Sequence, residues 1–205
     1  MNRNFIDRWA VVALIIWLGG CVSIERNYPD KRYFVLEVNR QINPAGAMGN
    51  GVLEVSDIRV SPRYSEKSFT YRTSAAGYEA DFYNQFLVSP GSLITEEVRK
   101  DLTRLHIFKH VIRSASQMQP THVLEGIVNA LYGDFRNVSA PQAVLEMQFF
   151  LSRATPGRSE ILLEKGYSKL VALKSRTPEA LVQGWNEALL AILTSLVSDL
   201  RTVNR

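Results

Sequence analysis

One cysteine stands in the 205 residues of this chain. A lone thiol excludes an intramolecular disulfide framework and a thiolate metal site. Charge of one sign is also scarce. The 24 Lys and Arg and 20 Asp and Glu leave a net charge of +4, and no block of like charge occurs. A nucleic-acid groove needs clustered basic side chains with aromatics between them, so nucleic acid is not expected as a partner. The G-x-S-x-G elbow, the P-loop and the dinucleotide-binding glycine fingerprint are all missing. Nothing repeats. The longest unbroken apolar run, Trp9 to Leu18, has ten residues, too short for a bilayer core that needs about 20. What remains is 46% hydrophobic and 21% charged, an ordinary composition for one globular domain.

The single cysteine is explained by its position. Arg3 and Arg8 form a positive start, the ten-residue apolar run follows, and the run closes in Leu18-Gly19-Gly20-Cys21. This is the plan of an export signal, and its end resembles a lipobox: an aliphatic residue, two small residues, then the obligatory cysteine. Small residues let a peptidase approach the backbone. The Cys21 sulfur would take a diacylglyceryl group, and its freed amine a further acyl chain. One chain holds a protein only marginally, so two or three on one residue make a lasting anchor. Val22 follows where Asp would favour retention, which by resemblance to lipoproteins of enteric-type bacteria points to the outer membrane. The expected organisation is a signal peptide over 1–20, a lipidated tether over 21–31 and one periplasmic domain over 32–205. Removal of Arg3, Asp7 and Arg8 leaves the mature chain at 4 − 2 + 1 = +3.

Apolar spacing outlines that domain. Arg32 to Val38 reads as a strand with Phe34, Leu36 and Val38 on one face. Asn43 to Gly51, with three Gly and one Pro, reads as a loop. Val52 to Val60 reads as a second strand. Ser68 to Thr73 and Glu79 to Val88 form an aromatic hairpin. Ser89-Pro90 opens a helix, with Ser as N-cap and Pro in its first turn, and Ile94, Val98, Leu102 and Leu105 as its buried stripe. Phe108 to Ile112 reads as a short edge strand. Three long alternating patterns follow, Thr121 to Phe135, Ala143 to Ala154 and Ile161 to Leu173. Thr177-Pro178 starts a final helix whose apolar face is Leu181, Trp185, Leu189, Ile192, Leu196 and Leu200. These elements predict an α/β (α+β) fold: a mixed sheet of six or seven strands with two helices, most simply both on one face.

Catalytic chemistry is harder to find. His106 and His110 have helical ligand spacing, but the helical stripe ends at Leu105 and no third ligand joins them, so they read as structural, as does His122. Glu96, Glu97 and Asp101 read as a solvated helix face. No catalytic residue, metal ligand or cofactor is expected beyond the lipid on Cys21. Two surfaces are candidates for contact. Tyr78, Phe82, Tyr83 and Phe86 either pack within the sheet or offer aromatic area to a partner or a lipid chain. Gly184, Ala191 and Ser195 lie on a small, neutral outer face of the last helix, where another protein could approach closely.

The mature chain resembles the auxiliary lipoproteins of ABC-type transport systems, the outer-membrane partners of MCE-type lipid transporters. The resemblance is carried by the lipobox and Arg32-Tyr33-Phe34-Val35-Leu36, then Val55 to Val60, Tyr71-Arg72, Tyr78 with Phe82-Tyr83, Phe86 and Pro90, and by the order of elements. It implies a non-catalytic α/β domain that docks or terminates a periplasmic lipid path at the outer membrane. The implied partners are a periplasmic MCE-domain protein, outer-membrane lipid, and further copies of itself as a homo-oligomer. The alternative is a lipoprotein scaffold for outer-membrane protein or lipopolysaccharide assembly.

The anchoring reading has a direct check. Cys21→Ser should accumulate as unprocessed precursor and take up no labelled fatty acid. A variant still acylated, and released from membranes only by detergent, would contradict it.

Overall fold

The computed structural model describes residues 29–41, 49–155 and 158–203. The lipobox residues Leu18, Gly19, Gly20 and Cys21 lie outside the described residues, as does 42–48, most of the expected loop. The chain divides into Met1–Asp30 and Lys31–Arg205, and the second unit holds every element described here.

The sheet contains β1 (Arg32–Phe34), β2 (Val52–Val55), β3 (Arg59–Val60), β4 (Ser68–Arg72), β5 (Tyr78–Phe86), β6 (His110–Arg113), β7 (His122–Asp134), β8 (Gln142–Thr155) and β9 (Arg158–Ala172). The helices are α1 (Pro90–Leu105) and α2 (Pro178–Val203). The fold class is as expected, a mixed sheet with two helices, but the described residues form nine strands rather than six or seven. One of the additional strands comes from Val52 to Val60, which forms β2 and β3. This stretch breaks at Ser56–Ile58 because the Ile58 N–H donates to the Thr95 hydroxyl of α1 at 2.9 Å instead of to a strand.

β7 organises the sheet. One edge pairs antiparallel with β8, from His122↔Arg153 to Asp134↔Gln142. The other edge is shared by three short parallel strands: β2 at 122–124, β3 at 127–128 and β4 at 133–134. A bulge between Val128 and Ala130 offsets the register midway. β6 extends the sheet from β2, and β5 then β1 extend it from β4. β9 pairs antiparallel with β8, from Gln142↔Ala172 to Thr155↔Arg158.

Alternation along β8 sorts the two faces. Ala143, Leu145, Met147, Phe149 and Leu151 are buried, while Glu146, Gln148, Phe150 and Ser152 are half-buried on the other side. The buried side receives the helices. α1 starts as its sequence predicts: the Ser89 hydroxyl accepts from the Ser92 N–H, and Pro90 follows directly. Ile94, Val98 and Leu102 are fully buried along one stripe. α2 buries Leu181, Trp185, Leu189, Ile192, Leu196 and Leu200. It is long and apolar enough by composition to cross a membrane, yet this face lies in the core.

Two expectations about α1 are corrected. Glu97 and Asp101 are not solvated: they are 6% and 3% exposed. The strand predicted to Val38 stops at Phe34, and the segment after it runs between the helices, where it needs side-chain partners. The Val38 N–H donates to Glu97 Oε2 at 2.8 Å, and the Glu37 N–H to Asn186 Oδ1 at 3.0 Å. Arg40 forks onto both Asp101 oxygens at 2.7 and 2.9 Å and also reaches the Thr194 hydroxyl of α2. Buried carboxylates are tolerated when paired and hydrogen-bonded in this way. Glu96 stays near the surface, between Arg99 and Arg113.

Trp185 closes the core. Its ring meets Phe69 edge-on at 5.1 Å and Phe86 at 5.4 Å, while its indole N–H has no hydrogen-bond partner among the described residues. Its contribution is therefore packing. Trp185→Ala should cost about 3–5 kcal/mol and lower the denaturant midpoint strongly. Trp185→Phe should lose less, because it removes the unpaired N–H as well. An unchanged midpoint for the alanine variant would contradict the assignment.

Candidate contact surface

β5 does not run straight. Between Ser68↔Gln85 and Thr70↔Ala80 the β4–β5 register slips, and Asp81 organises the irregular turn that results. Its Oδ1 accepts from the N–H groups of Tyr83 and Asn84 at 2.8 and 3.0 Å. Its Oδ2 accepts from the Asn84 amide and the Tyr71 hydroxyl, both at 2.7 Å. Asn84 in turn accepts from Arg32 Nε and Nη2 at 3.0 and 2.8 Å, and Arg32 Nη1 reaches Glu179 at the start of α2. One polar chain thus ties β1, β4, β5 and α2 together.

This chain lines a hollow of about 400 Å³ that also takes in Arg176, whose guanidinium lies 4.8 Å from the Phe135 ring centre. Asp81 and Tyr71 are committed to each other within it. Burial alone would raise the Asp81 carboxyl, but its four donors hold it below the usual carboxylate range. Burial and the Asp81 hydrogen bond push the Tyr71 hydroxyl far up. A phenol that holds its proton against a fixed carboxylate is neither nucleophile nor base at neutral pH. Among the described residues no group of three or more His, Cys, Asp or Glu could hold a metal ion.

The candidate surface residues separate. Phe82 is 63% exposed and Tyr78 40%, with Tyr83 half-buried against Phe82 at 5.2 Å. Phe86 is corrected: it is 2% exposed, packed on Phe69 at 4.7 Å and on Trp185. Tyr78, Phe82 and Phe86 share one parity along β5, so plain alternation would place them on one face; the register slip sets Phe86 in the core apart from Phe82 on the surface. Tyr78 belongs to the side away from the helices, beside Tyr132 and Tyr64. Burial and the neighbouring Tyr78 push the Tyr64 hydroxyl up to about 12.

Gly184 is corrected too. It is buried, not on the outer face of α2. A Cβ there would lie 2.7 Å from the Ala143 Cβ and 2.6 Å from Leu173 Cδ2. Glycine is needed so that the helix can approach β8. Beside it runs a groove of about 330 Å³, lined among others by Val171, Leu173, Gln183 and Glu187. Ala191 and Ser195 are half-buried, with Gln183, Glu187, Thr194 and Ser198 exposed along the same helix. His106 caps α1 with a left-handed backbone (φ 51°), and His110 lies apart from it on β6. His122 packs on Phe108 at 5.2 Å, and burial lowers its pKa.

The sequence reading missed the residues that accompany Phe82 on this edge. Tyr33 is 55% exposed, Leu87 53% and Val35 37%. The signal was present in β1, where Tyr33 and Val35 alternate with the inward Phe34 and Leu36.

No family model and no curated protein matches the sequence. Solved structures match the fold. Protein XCC0632 of Xanthomonas campestris, a DUF330 protein, superposes with a TM-score of 0.69 at 15% identity, over 85% of this chain and 94% of its own. An uncharacterized protein gives 0.65 at 12% identity, over 83% of this chain and 99% of its own. The hypothetical protein CT253 of Chlamydia trachomatis gives 0.50 at 9% identity, over 74% and 98%. At these identities the likeness is one of fold.

The Asp81 turn makes a pH prediction. The unfolded carboxyl titrates near 3.8 and the folded one lower. The stability it adds is therefore complete above 3.8 and fades as pH falls through the folded value. Asp81→Asn should be less stable than the parent at neutral pH, and the gap should narrow as the medium is acidified below 3.8. A gap independent of pH, read from denaturation midpoints, would contradict the role given to the charge.

Proposed function

We propose that this chain is a non-catalytic outer-membrane lipoprotein subunit of an ABC/MCE-type lipid transport system. Diacylglyceryl and N-acyl chains on Cys21 hold it at the periplasmic face. There it docks or terminates the lipid path built by a periplasmic MCE-domain protein. It hydrolyses nothing; the chemistry and the force come from the other components.

The observation that supports this reading is where the motif residues of the resemblance meet. Arg32 and Tyr71 are joined by hydrogen bonds through Asn84 and Asp81. Phe34 and Phe86, from two further motifs, pack on the same Phe69 ring. Residues spread over more than fifty positions act as one structural unit, which favours a shared architecture over chance composition. The lipobox supplies the anchor, and the half-buried, uncharged stretch at Ala191 and Ser195 offers a surface for close approach. A closed ring of copies is the usual way for such surfaces to be satisfied, since cyclic symmetry leaves none unpaired.

Full-length acylated protein, solubilised from envelopes and recovered through a C-terminal tag, should bring down an MCE-domain protein. Ala191→Arg and Ser195→Arg should reduce that recovery several-fold with little change in thermal midpoint, because partly exposed positions can lead a long cation outward. Recovery of an outer-membrane β-barrel instead, unaffected by either variant, would replace this reading with the assembly scaffold.

A further inference from the structure

The large exposed apolar side chains are not scattered evenly. Six of the ten among the described residues belong to β1, β5 and the residues just after them; Tyr78 packs beside Tyr64 and Tyr132, which leaves Tyr33, Val35, Phe82, Leu87 and Val88. Register brings them together. β1 pairs in parallel with β5, Tyr33 beside Gln85 and Phe34 beside Phe86, and the Leu87 N–H continues the ladder to the Phe34 carbonyl at 2.9 Å. Phe34 and Phe86 point into the core, so Tyr33, Val35 and Leu87 share the opposite, outward side. Phe82 joins them from the Asp81 turn.

Two cations border this patch. Lys31 Nζ lies 4.1 Å from the Phe82 ring centre, and Lys67 Nζ donates to the Leu87 carbonyl at 3.1 Å. Apolar and aromatic rings ringed by lysines are the composition of a surface that meets phospholipid headgroups: the rings enter the boundary and the ammonium groups stay at the phosphates.

The chain itself says what covers the patch. Lys31 is ten residues from Cys21, a span of at most about 33–36 Å fully extended. The patch is therefore the part of the domain nearest the anchor along the chain. A linker this short raises the effective concentration of its two ends to about millimolar, so even a small apolar area will settle on the anchoring surface. A second copy pairing through β1 is disfavoured. The strand has only three residues, and the chain beyond it turns inward, with Leu36 and Val38 buried and the Glu37 N–H bound to Asn186. That leaves little edge to extend.

We propose that the β1–β5 edge is the surface on which the domain rests against the phospholipid headgroups of its own membrane, so that the lipid fixes distance and the edge fixes orientation. This rests on the reading of Cys21 as the acylated anchor. The test uses the acylated full chain on vesicles of phosphatidylethanolamine and phosphatidylglycerol, with brominated phosphatidylcholine as quencher. The Cys21 sulfur is occupied by lipid, so Phe82→Cys or Leu87→Cys provides one reactive thiol for an environment-sensitive fluorophore. Val138→Cys and Ile161→Cys, at positions 68% and 64% exposed elsewhere on the domain, serve as controls. The labels at 82 and 87 should shift to the blue and lose roughly half their emission to the shallow bromines, as expected for side chains about 5–10 Å into the boundary, while the controls stay unquenched. Flotation with unquenched labels at 82 and 87 would overturn the orientation and leave the anchor intact. A blue shift without bromine quenching would assign the edge to a second copy instead. Failure to float, with mass spectrometry showing an unmodified Cys21, would overturn both.

Discussion

β7 has two edges to satisfy and only one partner long enough to do it alone. β8 covers one edge along its whole length, and the other must be shared by β2, β3 and β4 in succession. Everything on that side follows from this division. Each short strand leaves the edge where the next begins, so the chain between them must turn out and find other partners, as Ile58 does on Thr95. The bulge between Val128 and Ala130 lets β7 twist between one partner and the next. The sheet therefore ends in two separate wings, β2–β6 and β4–β5–β1.

Polar side chains hold the outer edge of the β4–β5–β1 wing. Asp81 gathers four donors, Asn84 passes the connection to Arg32, and Arg32 carries it to Glu179 of α2. Beyond β1, Glu97, Asn186 and Asp101 replace strand partners for the chain between the helices. Removing one member of the buried Arg40–Asp101 pair would leave a charge in a nearly dry site, which is far costlier than losing a surface pair. An edge held in this manner can keep apolar side chains facing outward without collapsing onto its own core.

Much of this architecture was legible in the sequence because it rests on periodicity. The stripes at Ile94, Val98 and Leu102 and at Leu181, Trp185 and Leu189 identify both helices and their inner faces, and Pro90 and Pro178 mark where they begin. Alternation over Ala143 to Ala154 marks β8, and its burial follows that period. What sequence could not supply was contact at long range. Glu97 and Asp101 look like surface carboxylates until a segment sixty positions away is seen to bind them. Gly184 looks like part of a small exposed face until Ala143 is found against it. Phe86 and Phe82 stand in one aromatic run, and only the slip in register at Asp81 explains why one is core and the other surface. The proposed anchor at Cys21 is a motif in the sequence alone, and its support is chemical.

The domain divides into a scaffold of β7, β8 and α2 and an edge of β1 and β5 held on by polar contacts. Native-state hydrogen exchange of the mature protein in low denaturant tests that division most directly. Amides of β7 and β8 should exchange only through global unfolding, while those at 32–36 and 81–86 open locally at lower free energy and together with one another. Exchange at β7 as fast as at β1, or a single opening shared by the whole domain, would contradict it.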